Sequence, residues 1–99
     1  MTREEFSAYA QKVFYHHNKV ANGVIVTARF LHDDQWSASA PLVRAENAMA
    51  AACQPLNDAV SARIGGRNLR FFEKRQLLNT VPACEAATET TAMRLSTAL

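Results

Sequence analysis

The sequence PLVRAENAMAAACQPLNDAVSARIGG, residues 41–66, decides the fold of this chain. Its apolar side chains recur at steps of three and four residues, which places them along one side of an α-helix. Such a stripe must be buried against partners, so the flanking segments are expected to cover it. The stripe comprises Leu42, Ala45, Met49, Ala52, Leu56, Val60 and Ile64.

The ends of this central helix carry sequence signals of their own. Ser39 and Pro41 suit a helix start, since proline fits the first turn, where its missing amide is not needed. Gly65-Gly66 predicts the end of the helix, because glycine readily takes the left-handed conformation found there. Pro55 lies inside the pattern and predicts a kink or a break. We favour a kink, because the apolar stripe continues past it.

The N-terminal third can be interpreted in two ways. Thr2 and Glu5 are spaced as a capping box, and the apolar period that follows predicts a helix over about 3–32. Asn22-Gly23 is unfavourable inside that helix, and the β-branched residues after it resemble a strand. The alternative is therefore a β-hairpin near residues 24–40, with a turn at residues 32–35.

The C-terminal third predicts two more helices, over about 67–79 and 82–97. Thr80 is the expected N-cap of the last helix, with Pro82 in its first turn. The fold class expected for residues 1–99 is thus a single small all-α domain: a four-helix antiparallel bundle with a kinked central helix. The alternative is an α+β fold that contains the hairpin.

The positive charge is concentrated in one segment. The chain carries a net +2, whereas residues 63–75 hold five cations against Glu73 alone, a net +4. On a helix starting near Gly66 the cations and one aromatic would form a basic face, and side chains at this spacing can meet carboxylates or phosphates. The candidate binding residues are Arg63, Arg67, Arg70, Phe71 and Lys74.

We expect this basic face to dock an acidic partner protein. A weak nucleic-acid or anion-binding module using the same face is the less favoured alternative, since no nucleic-acid motif accompanies it. The face could also be merely solvated, with its cations paired to Glu85 or Glu89. Trp36, in a polar connection, is a second candidate partner anchor, because tryptophan is enriched at binding hot spots.

Other functions find little support in the sequence. No catalytic residue, metal site or cofactor is assigned, since no catalytic or phosphate-binding motif occurs. Cys53 and Cys84 are expected in the core, and whether they approach each other is open. The charged N-terminus and the short apolar runs favour the cytoplasm and no membrane association. A homodimer is compatible with the Ala-rich last helix.

Overall fold

The computed structural model describes residues 1–30 and 40–98, which form three α-helices. Helix α1 is Arg3–Phe30, α2 is Ala40–Ile64 and α3 is Phe71–Ala98. These residues contain no strand, so the all-α class is confirmed. The hairpin alternative is wrong over residues 24–30, which belong to α1, while residues 31–39 lie outside the described part of the chain.

Helix α1 begins at a capping box and continues through Gly23. Its capping box is confirmed: the Glu5 amide donates to Thr2 Oγ1 at 3.1 Å, and the Thr2 amide donates to Glu5 Oε1 at 3.0 Å. The helix then passes through Gly23, where a Cβ would lie 2.7 Å from Leu95 Cδ2. The glycine therefore serves the close approach of α1 to α3 and does not end the helix.

The four-helix count is wrong, because the predicted third and fourth helices are one element. Thr80 is not an N-cap, since its hydroxyl donates to the Gln76 carbonyl at 3.0 Å inside α3. Pro82 removes the amide that would bond the carbonyl of Leu78. Leu78 and Pro82 are both exposed, so water can hydrogen-bond to the Leu78 carbonyl and the helix continues. In α2 the helix likewise runs through Pro55 as one element.

The three helices pack with alternating direction. Thr91 Oγ1 in α3 donates to the Ala45 carbonyl of α2 at 3.0 Å, and Cys84 meets Cys53, so α2 and α3 are antiparallel. Helix α1 runs in the same direction as α3, because Tyr9 bonds Glu85 near one end while Gly23 meets Leu95 near the other. The buried positions of α1 and α3 share the spacing of a left-handed helical bundle: 13, 17, 20, 24 and 27 in α1, and 77, 81, 84, 88 and 91 in α3.

A disulfide joins α2 to α3 at their closest point. Cys53 and Cys84 are bonded with a Cα–Cα distance of 4.5 Å, and neither is exposed to solvent. The expectation that both cysteines lie in the core is confirmed. Small side chains around them permit the close approach, among them the fully buried Thr88 and Thr91.

We expect reduction of this disulfide to lower the stability of the whole bundle. The bond closes a loop with a sequence separation of 31 residues, for which chain entropy predicts a loss of about 3–4 kcal/mol. Urea unfolding of the oxidised protein, the reduced protein and the Cys53→Ala/Cys84→Ala variant measures it. Equal midpoints for the oxidised and reduced forms would contradict the prediction.

His17 makes α1 packing sensitive to pH. Its side chain is buried, Nε2 lies 3.3 Å from Asn57 Nδ2, and Nδ1 has no partner among the described residues. Burial lowers the pKa of His17 below 6.5, against an opposing effect of Glu46. The unfolded chain then binds more protons than the folded one below pH 6.5.

The free energy of unfolding is therefore expected to fall as the pH drops below 6.5 and to level off below the folded pKa. Denaturant unfolding between about pH 7.5 and 5.5 tests this in the range where histidine titrates. His17→Gln should remove the histidine part of the slope. His16→Gln, at an exposed neighbouring position, is the matched control and should leave the slope unchanged.

Candidate functional site

A wide groove opens at one end of the bundle. Because α2 runs against α1 and α3, the starts of α1 and α3 and the end of α2 lie together there. The groove has a volume of about 1190 Å³ and is lined by all three helices. Its apolar surface comes from Phe6, Ala10, Phe14, Leu56, Ala59, Val60, Ile64, Leu69, Phe71, Leu77 and Leu78.

Several of these apolar side chains are left in contact with solvent. Ile64 is 83% exposed, Phe71 70% and Leu78 57%. Deeper in the groove, Leu56 and Leu77 belong to the buried core. The groove is thus an open extension of the hydrophobic core, and a contiguous apolar surface of this kind is typical of a binding site.

The charged residues that line the groove are all cationic among those described. Arg3, Arg63, Lys74 and Arg75 line it, and none of the described lining residues is acidic. We call these four residues the cationic rim. They come from the first residue of α1, the last turn of α2 and the beginning of α3, so they surround one mouth of the groove.

A smaller cavity of about 480 Å³ adjoins the groove at this mouth. Three residues of the cationic rim, Arg3, Arg63 and Lys74, line both spaces. Arg67 lines the small cavity but not the groove. Among the described residues, Glu4 is the one acidic residue that lines the small cavity. The highest density of positive charge therefore lies beside the apolar groove, at its outer end.

The turn between α2 and α3 sets these positions. Gly66 has a φ of 79°, its amide bonds the Arg63 carbonyl at 3.1 Å, and the Arg67 amide reaches the Ala62 carbonyl at 2.8 Å. These bonds form a Schellman motif, so the predicted end of α2 at the two glycines is confirmed. Three residues later the Arg70 amide donates to Glu73 Oε1 at 3.2 Å, so Glu73 caps the start of α3 at Phe71.

The predicted basic residues do not share a helix face. Residues 67–70 precede α3 and are not helical, so the prediction of a helix from residue 67 is wrong. Arg67 forms a two-pronged ion pair with Glu73, at 3.0 and 3.2 Å, which lowers the pKa of Glu73 and raises that of Arg67. Arg70 lines neither cavity, whereas Arg63, Phe71 and Lys74 line the groove.

The suggested pairing of the basic residues with Glu85 has no support, since Glu85 instead accepts a hydrogen bond from the Tyr9 hydroxyl at 2.9 Å. A role in binding remains a prediction for all five basic-face residues. Trp36 lies outside the described residues, and its role as an anchor also remains a prediction.

The sequence interpretation missed Arg3 and Arg75 as members of the cationic rim. Arg75 stands beside Lys74 and belongs to the same charged segment, so the excess of charge was a usable signal. Arg3 lies more than fifty residues away in sequence, and only the parallel packing of α1 and α3 brings it to the groove.

No protein-family model, no curated protein and no solved structure matches this chain. None of the three described helices is apolar enough over a sufficient length to cross a membrane. In the described ranges, no three of the histidine, cysteine and acidic side chains are grouped as metal ligands would be. The groove and its cationic rim are therefore the candidate functional site.

Proposed function

We propose that this protein is a small interaction module that docks an acidic, partly apolar segment of a partner protein in the groove. The observation that carries the proposal is the pairing of an open apolar surface with four cations and, among the described residues, no acidic lining residue. An occupant with carboxylates and apolar side chains would complement both parts. Nucleic acid fits less well, since its phosphates would satisfy the cations and leave most of the apolar surface uncovered.

The placement of the rim supports a role outside folding. Arg3, Lys74 and Arg75 lie at or near helix N-termini, where the positive end of the helix dipole disfavours cations. Exposed Phe71 and Phe72 occupy the same helix start. Residues that work against local stability, with no ion pair to the described residues in return, are the ones expected at a functional site.

Charge reversal at the rim tests the proposal. Arg63→Glu/Lys74→Glu should weaken binding of a fluorescein-labelled acidic–apolar peptide by at least about tenfold, because two attractive contacts become repulsive. Fluorescence anisotropy measures the affinity. Arg29→Glu/Arg94→Glu makes the same change in net charge at exposed positions outside the groove and should leave binding unchanged.

The same assay includes peptides in which Gln or Lys replaces every Glu, and a single-stranded oligonucleotide. Equal binding of the acidic and Lys-containing peptides would disprove recognition of carboxylates. Preferential binding of the oligonucleotide, falling steeply with salt, would favour the nucleic-acid alternative instead.

A substitution at Glu73 is expected to increase the affinity for the acidic peptide. Glu73→Gln should strengthen binding of the acidic peptide, because it removes a negative charge beside the small cavity and releases Arg67 from its ion pair. Gln can still accept the Arg70 amide at the start of α3, so the helix cap is retained. Glu89→Gln, on the exposed surface of the same helix, is the matched control.

The disulfide favours an oxidising compartment as the place of action, in contrast to the cytoplasm favoured by the sequence, because cytosolic proteins keep their thiols reduced. Acid quenching of the native cells, followed by alkylation and mass measurement, tests this. The expected result is an unalkylated Cys53–Cys84 pair. Two alkylated cysteines in the native protein would place it in a reducing compartment.

A further inference from the structure

We infer that the occupant of the groove is an amphipathic α-helix of about two to three turns, with its acidic side chains clustered at one end. The inference rests on the proposed function and specifies the conformation and charge pattern of the partner segment. Three observations lead to it: the direction and size of the groove, the number of helices in the bundle, and the one-sided position of the cationic rim.

The size of the groove suits a helix. Its lining runs along α1 from Arg3 to Tyr15 and along α2 from Leu56 to Ile64, which correspond to about 18 and 12 Å at 1.5 Å per residue. A helix about 10 Å across and 15 Å long occupies about 1,200 Å³. The groove volume of 1190 Å³ is of the same order, and it is above the range of about 300–1,000 Å³ that is usual for small-molecule pockets.

The helix count points in the same direction. An up-and-down bundle commonly closes its core with four helices, whereas the described residues supply three. The groove follows the axes of all three and is lined by apolar side chains of each. A helix laid in it would cover Val60 and Leu78 in the manner of a fourth bundle member.

The position of the rim cations predicts that the acidic residues of the partner helix lie at one end. Three of the four rim cations, Arg3, Arg63 and Lys74, also line the small cavity at the outer mouth, where Arg67 joins them. The part of the groove toward the middle of the bundle is lined by Phe14, Leu56 and Leu77. Carboxylates at one end of the partner helix would meet the rim, while its apolar stripe would lie over these residues.

The experiment compares peptides of about 16 residues, long enough for the required turns. The first places an apolar stripe at helical spacing and its Glu residues at one end. The second has the same composition but scatters the apolar residues, and the third carries two prolines in the middle. Anisotropy gives the affinity for the oxidised full chain, and circular dichroism reports the helix content of the mixture.

We expect the first peptide to bind at least about tenfold more tightly than the other two and to gain helix on binding. Leu78→Ser should weaken it severalfold. Met93→Ser is the matched control, because Met93 is an exposed apolar residue of α3 outside the groove, and it should have no effect.

Other results overturn the inference in distinguishable ways. Equal affinity of the proline-containing peptide would mean that the partner binds in an extended form, and docking of an acidic segment would stand. Failure of every acidic peptide would overturn both proposals. Binding of phosphatidylglycerol vesicles without binding of any peptide would assign the surface to an anionic membrane.

Discussion

The structure depends on the close contact between α2 and α3 at the Cys53–Cys84 disulfide. A Cα–Cα distance of 4.5 Å leaves no room for large side chains at this level. Next to the disulfide lies the fully buried Thr88, whose hydroxyl is 3.7 Å from Cys53 Sγ, and farther along α3 the Thr91 hydroxyl donates to the Ala45 carbonyl of α2. The small residues that look unremarkable in the sequence are therefore what allow the two helices to approach.

This contact also determines where the bundle is open. Because α2 and α3 are bonded near their middle, α1 packs over them through Val13, Val20 and Val24, and its Gly23 passes close to Leu95. Nothing among the described residues fills the space at the opposite end, beside Phe6 and Ile64. The groove thus follows from the packing of the three described helices, two of which are in tight contact while the third packs over both.

The sequence predicts the periodic parts of this fold well. Leu42, Met49 and Leu56 of the predicted stripe are buried as expected, whereas Ile64 at its end is 83% exposed. The two glycines end α2 as their conformational freedom suggests. The errors occur where the surroundings override local preference. α3 continues through Pro82, whose position is solvated, and α1 continues through Gly23, where the Leu95 side chain occupies the place that a Cβ would take. The disulfide and the presence of Arg3 in the site depend on long-range contacts, which periodicity cannot give.

The cations differ in whether they form ion pairs within the described part of the chain, and the proposed site rests on that difference. Arg67 serves the structure, because Glu73 holds it beside the turn while also capping α3. No carboxylate among the described residues is within ion-pair distance of Arg63 or Lys74, although both border a surface rich in aromatic and aliphatic groups. A chain selected for stability alone would cover that surface or place an acid beside those cations. Their combination is the reason for proposing that one partner segment supplies both the carboxylates and the apolar cover.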